Sequence, residues 1–99
     1  MSVNTPKALV IGASGYLGRA LHRVVARSHP EAMGLTRKTI QLENPDISIT
    51  GCEDMGYEWG IITAAIPGLA YCEANPVETH KANVEGALSL ARQLTDADI

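Results

Sequence analysis

Three glycines spaced three apart, Gly12, Gly15 and Gly18, follow directly on the apolar run Ala8-Leu9-Val10-Ile11 and open a segment of helical periodicity. A short run rich in β-branched residues and bounded by glycine suits a strand buried on both faces, as in parallel sheets. Beyond the turn, Leu17, Ala20, Leu21, Val24 and Val25 fall on one stripe, with Arg19, Arg23 and Arg27 on the other side. That spacing predicts a helix with its apolar stripe toward a core. Ser28-His29-Pro30 ends it, because the residue before a proline avoids helical angles.

The order of strand, glycine turn and helix gives each glycine of Gly12-Ala13-Ser14-Gly15-Tyr16-Leu17-Gly18 a separate task. Gly12 permits the sharp turn off the strand, Gly15 lets backbone approach a phosphate, and Gly18 lets the helix pack closely on the sheet. The start of the helix then offers unpaired N–H groups and the positive end of its dipole. Such a unit, ending near residue 28, is built to hold the pyrophosphate of a dinucleotide, NADP or NAD. It is not a P-loop, since Gly18 is followed by Arg19-Ala20 and not by Lys and Ser or Thr.

Further along, a second strand is expected from Ala32 or Met33 to Thr36. Ile40-Gln41-Leu42 and Asp46-Ile47-Ser48-Ile49 offer a third, and residues 51–58 read as a loop or one helical turn. Gly60-Ile61-Ile62-Thr63-Ala64-Ala65-Ile66 is the clearest later strand, stopped by Pro67-Gly68. A last helix begins with Asn75 as cap, Pro76 in the first helical position and Glu78 placed for a capping box. Val84, Ala87, Leu88, Ala91 and Leu94 give it an apolar stripe. Alternation of strands and helices predicts an α/β fold, a Rossmann-like parallel sheet with flanking helices.

At 99 residues the chain is one small domain, and 45% hydrophobic residues suffice for a core. A net charge of −3 and a pI near 5.5 argue against a nucleic-acid partner. No apolar run approaches the roughly 18–20 residues of a membrane span. The opening Met1-Ser2-Val3-Asn4-Thr5-Pro6-Lys7 lacks a signal-peptide layout, so the expected location is cytoplasmic. Cys52 and Cys72 stand twenty positions apart with no second pair, and His22, His29 and His80 do not cluster with them. They read as two unrelated thiols, with no metal site.

On these residues the chain resembles the extended short-chain dehydrogenase/reductase (NAD-dependent epimerase/dehydratase) family, and within it the dTDP-4-dehydrorhamnose reductase type of nucleotide-sugar enzyme. The resemblance runs from Lys7 to about Leu94. It rests on the glycine turn, Asp46-Ile47, Ala64-Ala65, and Cys72-Glu73-Ala74-Asn75-Pro76 leading into a helix with Asn83-Val84. Ile11 departs from it, standing where many members have threonine. The resemblance implies that Ser14, Tyr16 and Leu17 lie around the phosphates and that Asp46 and Ile47 flank the adenine. It places Ala64, Ala65 and Ile66 along the nicotinamide-side ribose and gives Asn83 a part in organising the active site. Asp46 also reads as an ordinary turn aspartate, and Asn83 as an exposed polar residue of a helix.

NAD sites usually carry an acid at the end of the second strand. Here Gly34-Leu35-Thr36-Arg37-Lys38 has none before Glu43. Two adjacent cations, with a hydroxyl from Thr36, fit a 2′-phosphate better, so NADP leads and NAD is the alternative. Arg37 and Lys38 also read as a solvated loop. The resemblance further implies a Tyr-x-x-x-Lys pair, but Tyr16, Tyr57 and Tyr71 are followed four residues later by Ala20, Ile61 and Asn75. No catalytic residue is therefore assigned. The chain reads as the N-terminal, cofactor-binding part of such an enzyme, without its substrate domain, and is expected to be inactive alone. The alternatives are a silent dinucleotide-binding sensor or regulatory module, and a structural remnant. A sheet lacking its next strand would leave an open edge that invites self-association.

Overall fold

The computed structural model describes residues 7–51 and 55–99. The opening segment, Cys52 and the middle of the expected 51–58 loop lie outside the described residues. The sheet is centred on β1 (Lys7–Ile11), where Ala8, Leu9 and Val10 are fully buried. Helix α1 (Tyr16–Ser28) follows, then β2 (Met33–Leu35), a 3-10 turn (Ile47–Thr50) and β3 (Tyr57–Ile62). Helices α2 (Leu69–Ala74) and α3 (Pro76–His80), a π turn (Lys81–Gly86) and α4 (Ala87–Asp96) complete the order. The strands lie as β2-β1-β3, all parallel, with Ile11 opposite Leu35 on one side and Ile62 on the other. This is the small α/β arrangement, a parallel sheet flanked by helices, that the periodicities predict. Among the described residues the outer edge of β3 has no partner strand.

Residues 40–49 do not supply a third strand between β2 and β3. Asp46 instead accepts from the Ser48 N–H at 3.0 Å and the Ser48 hydroxyl at 2.6 Å, which starts the 3-10 turn. Such local bonds compete with a sheet ladder. The apolar residues of this stretch still reach the core: Ile40, Leu42 and Ile47 are buried with Leu9, Ile11, Leu35, Leu90 and Leu94. Gln93 holds the turn against α4, accepting from the Ile47 N–H and donating to the Pro45 carbonyl.

The last strand starts earlier and ends earlier than Gly60–Ile66. Its limits follow β1, pairing from Lys7↔Tyr57 to Ile11↔Ile62. Beyond Ile11 the partner turns away at Gly12, so Ala64–Ile66 leave the sheet and become loop. The six-residue α2 was not anticipated; it is too short to show a periodicity. Pro76 does take the first helical position, but the capping box is absent. Asn75 also ends α2, and its amide donates back to the Tyr71 carbonyl, while Glu78 accepts from the Tyr71 hydroxyl.

Both expected helix stripes face the core only in part: Leu21, Val25 and Ala87 are half-buried and Leu94 is buried. In α1 only Gly18 is buried, and Leu17 and Val24 are 65% and 56% exposed. The helix comes so near the glycine turn that its contact face is centred on its smallest residue; Leu21 and Val25 are half-buried, while Leu17, Ala20 and Val24 turn outward. In the last helix Ala82, Gly86, Leu90 and Leu94 face the core, whereas Val84, Leu88 and Ala91 are exposed. The π turn explains the shift. An α-helix advances about 100° per residue, so every fourth residue drifts from one face; the wider π turn offsets part of that drift and brings Ala82 and Gly86 in line with Leu90. Among the described residues no helix is long and apolar enough to cross a membrane.

Candidate functional site

The chain leaves β1 toward β2 on one side and has β3 on the other, so a crevice opens at the carboxyl ends of the strands. That is where parallel α/β sheets take their ligands. The glycine turn forms its floor. Gly12 has φ +95°, a conformation open to glycine, and a Cβ there would lie 2.6 Å from the Ala64 nitrogen. Gly18 packs α1 onto the turn, and a Cβ on it would stand 1.9 Å from the Gly12 carbonyl oxygen. Gly15 differs from both. Its φ of −73° suits any residue, and a Cβ would meet only the Gly12 carbonyl, at 3.4 Å. Nothing in the fold requires glycine there, and the space above it is open.

The amide hydrogens of the turn divide accordingly. Those of Gly12 and Ala13 both donate to the Leu35 carbonyl, at 2.8 and 3.0 Å, and that of Gly15 donates to the Gly12 carbonyl. Among the described residues no backbone acceptor takes those of Ser14, Tyr16 and Leu17. Gly15 caps α1 without a side chain, and the first turn carries no acid, so the positive end of the helix is uncompensated. Thr63 closes the floor from the β3 side. Its N–H and hydroxyl both donate to the Ile11 carbonyl, at 2.8 and 2.9 Å.

Above this floor lies a cleft of about 670 Å³, within the range of about 300–1,000 Å³ common for small-molecule sites. Of the residues anticipated from sequence, Gly12, Ser14, Gly15, Thr36, Arg37, Ala64, Ala65 and Ile66 line it. Tyr16, Leu17 and Gly18 lie at the start of α1 beside the floor, and Lys38 stands just outside the lining, its N–H donating to the Thr36 hydroxyl oxygen at 3.2 Å. Asp46 and Ile47 are not brought to the cleft. Asp46 caps the 3-10 turn, where its bonds from Ser48 lower its pKa, and Ile47 is buried in the core.

Asn83 does not line the cleft either, but it holds the wall that does. Its Oδ1 accepts from the Ile66 N–H at 2.7 Å and its Nδ2 donates to the Ile66 carbonyl at 3.0 Å. The paired bonds fix the loop that carries Ala64–Ile66.

Sequence reasoning missed part of the walls. Ile40, Gln41, Leu42 and Glu43 line the β2 side, and Thr63, Pro67, Tyr71 and Glu78 the other. The apolar run 40–42 reads in sequence as a strand, and Tyr71 and Glu78 meet only because α2 folds back onto α3. The Tyr71 hydroxyl donates to Glu78 at 2.9 Å. That bond raises the Tyr71 pKa, so the phenol keeps its proton. Among the described residues no three His, Cys, Asp or Glu side chains gather to hold a metal ion.

Among protein families, the model of the NAD dependent epimerase/dehydratase family matches residues 8–99. No curated protein and no solved structure matches the chain.

Proposed function

The chain belongs to the NAD dependent epimerase/dehydratase family, and from that premise we propose that its cleft binds NADP as the cofactor-holding part of a nucleotide-sugar oxidoreductase of the dTDP-4-dehydrorhamnose reductase type. Gly15 carries the reading. The fold has no use for a missing side chain at that position, whereas a diphosphate approaching the free amides of Ser14, Tyr16 and Leu17 does. The bound dinucleotide supplies hydride chemistry; the chain's own residues hold and orient it.

Arg37 lines the wall beyond β2, which supports a pairing with a 2′-phosphate to which Thr36 would add a hydroxyl. Glu43 lines the same wall and favours the alternative, NAD, by accepting from ribose hydroxyls. Asp46 and Ile47 have no contact with the ligand in this reading, since they lie off the cleft. Ala64, Ala65 and Ile66 border the nicotinamide half, with Asn83 behind them.

Hydride exchange with a sugar carbonyl needs a proton donor, and no Tyr-x-x-x-Lys pair is present in the sequence. A second reading is a silent module that senses the cofactor. Self-association through the open edge of β3 belongs to either reading.

Titration with NADPH and NADH, read by the cofactors' own fluorescence, tests the proposal. Trp59 is a poor reporter, being packed edge-on against His29 at the far end of α1. Binding of NADPH by the wild type, lost in a folded Gly15→Val variant, is the expected result. Equal binding by the two proteins would sink it.

A further inference from the structure

The cleft has two side walls, and one turn of helix touches the backbone of both. On the β2 side, Gly86 lies against Leu42, where a Cβ would stand 1.9 Å from the carbonyl oxygen and 2.8 Å from its carbon. On the β3 side, Asn83 bonds both backbone groups of Ile66. Asn83 and Gly86 belong to the π turn Lys81–Gly86. Such turns are rare, occur mostly as single bulges inside α-helices, and are frequent at functional sites.

Gly86 has φ −64° and ψ −45°, ordinary helical angles, so its backbone does not call for glycine. Alanine is the better helix former. The Leu42 contact is what forbids a methyl group, with the Lys81 carbonyl oxygen a looser neighbour at 3.2 Å, and it is a contact with backbone, which cannot swing aside as the end of a side chain does. Leu42 is itself anchored in the core, so a displaced carbonyl carries Gln41 and Glu43, both of the wall, along with it.

We infer that the π turn is a spacer that sets the separation of the two cleft walls, with Gly86 as the positioning residue for the wall beyond β2. The inference rests on the dinucleotide reading above. In that reading the wall beyond β2 meets the adenosine half, and the wall held by Asn83 meets the nicotinamide half. The two residues thus act on different halves of one ligand, a division that general loosening of the fold does not produce.

The test compares wild type, Gly86→Ala and Asn83→Ala for binding of NADPH, adenosine 2′,5′-bisphosphate and reduced nicotinamide mononucleotide. Gly86→Ala is expected to weaken NADPH and the bisphosphate at least tenfold and to leave the nicotinamide mononucleotide within twofold. Asn83→Ala is expected to weaken NADPH and the nicotinamide mononucleotide, and to spare the bisphosphate. Asn83→Asp, which keeps the acceptor for Ile66 and loses the donor, should fall between. A folded Gly86→Ala with wild-type affinity for the bisphosphate overturns the inference. If that variant does not fold, unchanged binding of both halves by Asn83→Ala overturns it instead. Should the wild type bind no nucleotide, the cofactor reading fails by itself. The spacer is then judged in the ligand-free proteins: amide shifts of Gln41 and Glu43 must move in Gly86→Ala, those of residues 64–66 must move in Asn83→Ala, and still amides reject it.

Discussion

Gly18 and Gly12 meet so closely that no methyl group fits between the helix and the turn: the missing Cβ of Gly18 would sit 1.9 Å from the Gly12 oxygen. The obstacle is a backbone carbonyl, with the Thr63 hydroxyl, itself bonded to Ile11, 3.4 Å away. Gly18→Ala should therefore destabilise the fold, although alanine gains about 1 kcal/mol in helix propensity. Overpacking against fixed backbone costs about 1–3 kcal/mol and wins. A lower urea midpoint checks this.

Gly15 should behave in the opposite way. Aspartate there can accept from the open N–H groups of α1, and replacing a glycine cap gains a few tenths of a kcal/mol (roughly 0.3). Gly15→Asp is expected to raise the melting temperature slightly while abolishing NADPH binding, because its carboxylate takes the place of the phosphate. Parallel calorimetry and cofactor titration would show stability and binding moving apart.

Arg37 should discriminate between cofactors. Losing a charge-assisted contact with the 2′-phosphate costs about 1.5–3 kcal/mol, or roughly 10–100-fold in affinity. Arg37→Ala is expected to lose that much for NADPH and little for NADH. Lys38→Ala should do less, as Lys38 lies outside the lining. Glu43→Gln should shift preference further toward NADPH by removing a like charge from the same wall. Fluorescence titration of each variant with both cofactors decides.

The 3-10 turn should respond to acid. Asp46 has its pKa lowered by the bonds from the Ser48 hydroxyl and N–H. A depressed carboxylate contributes its stabilisation above its unfolded pKa and loses it as pH falls through the lower, folded value. The Ser48 amide proton is therefore expected to shift with a midpoint below the usual aspartate range, and Asp46→Ala should abolish the titration. An NMR pH series measures both.

The strand, turn and helix at the start of the chain were legible because each rests on local information: a β-branched run, three glycines, a helical period. The parts that failed depend on distant partners. Ile40, Leu42 and Ile47 look like strand residues because they are apolar, but they fill the core from a loop whose backbone bonds locally. The end of β3 is fixed by where β1 turns away, which nothing near Ile62 encodes. The π turn rotates the last helix, so that a stripe counted at the α period points Val84 and Leu88 outward. At the site, eight anticipated residues line the cleft. Glu43 and Tyr71 carried no motif to mark them, and Glu78 carried one that pointed to a helix cap instead.

The Leu35 carbonyl, which accepts from both Gly12 and Ala13, has a practical corollary for anyone wishing to retune the protein. One oxygen atom fastens the glycine turn to the strand that delivers Thr36 and Arg37. A graft that begins after Leu35 can exchange the loop beyond β2 as a cassette and leave the glycine turn seated. One that begins upstream moves the hinge pin on which both parts hang.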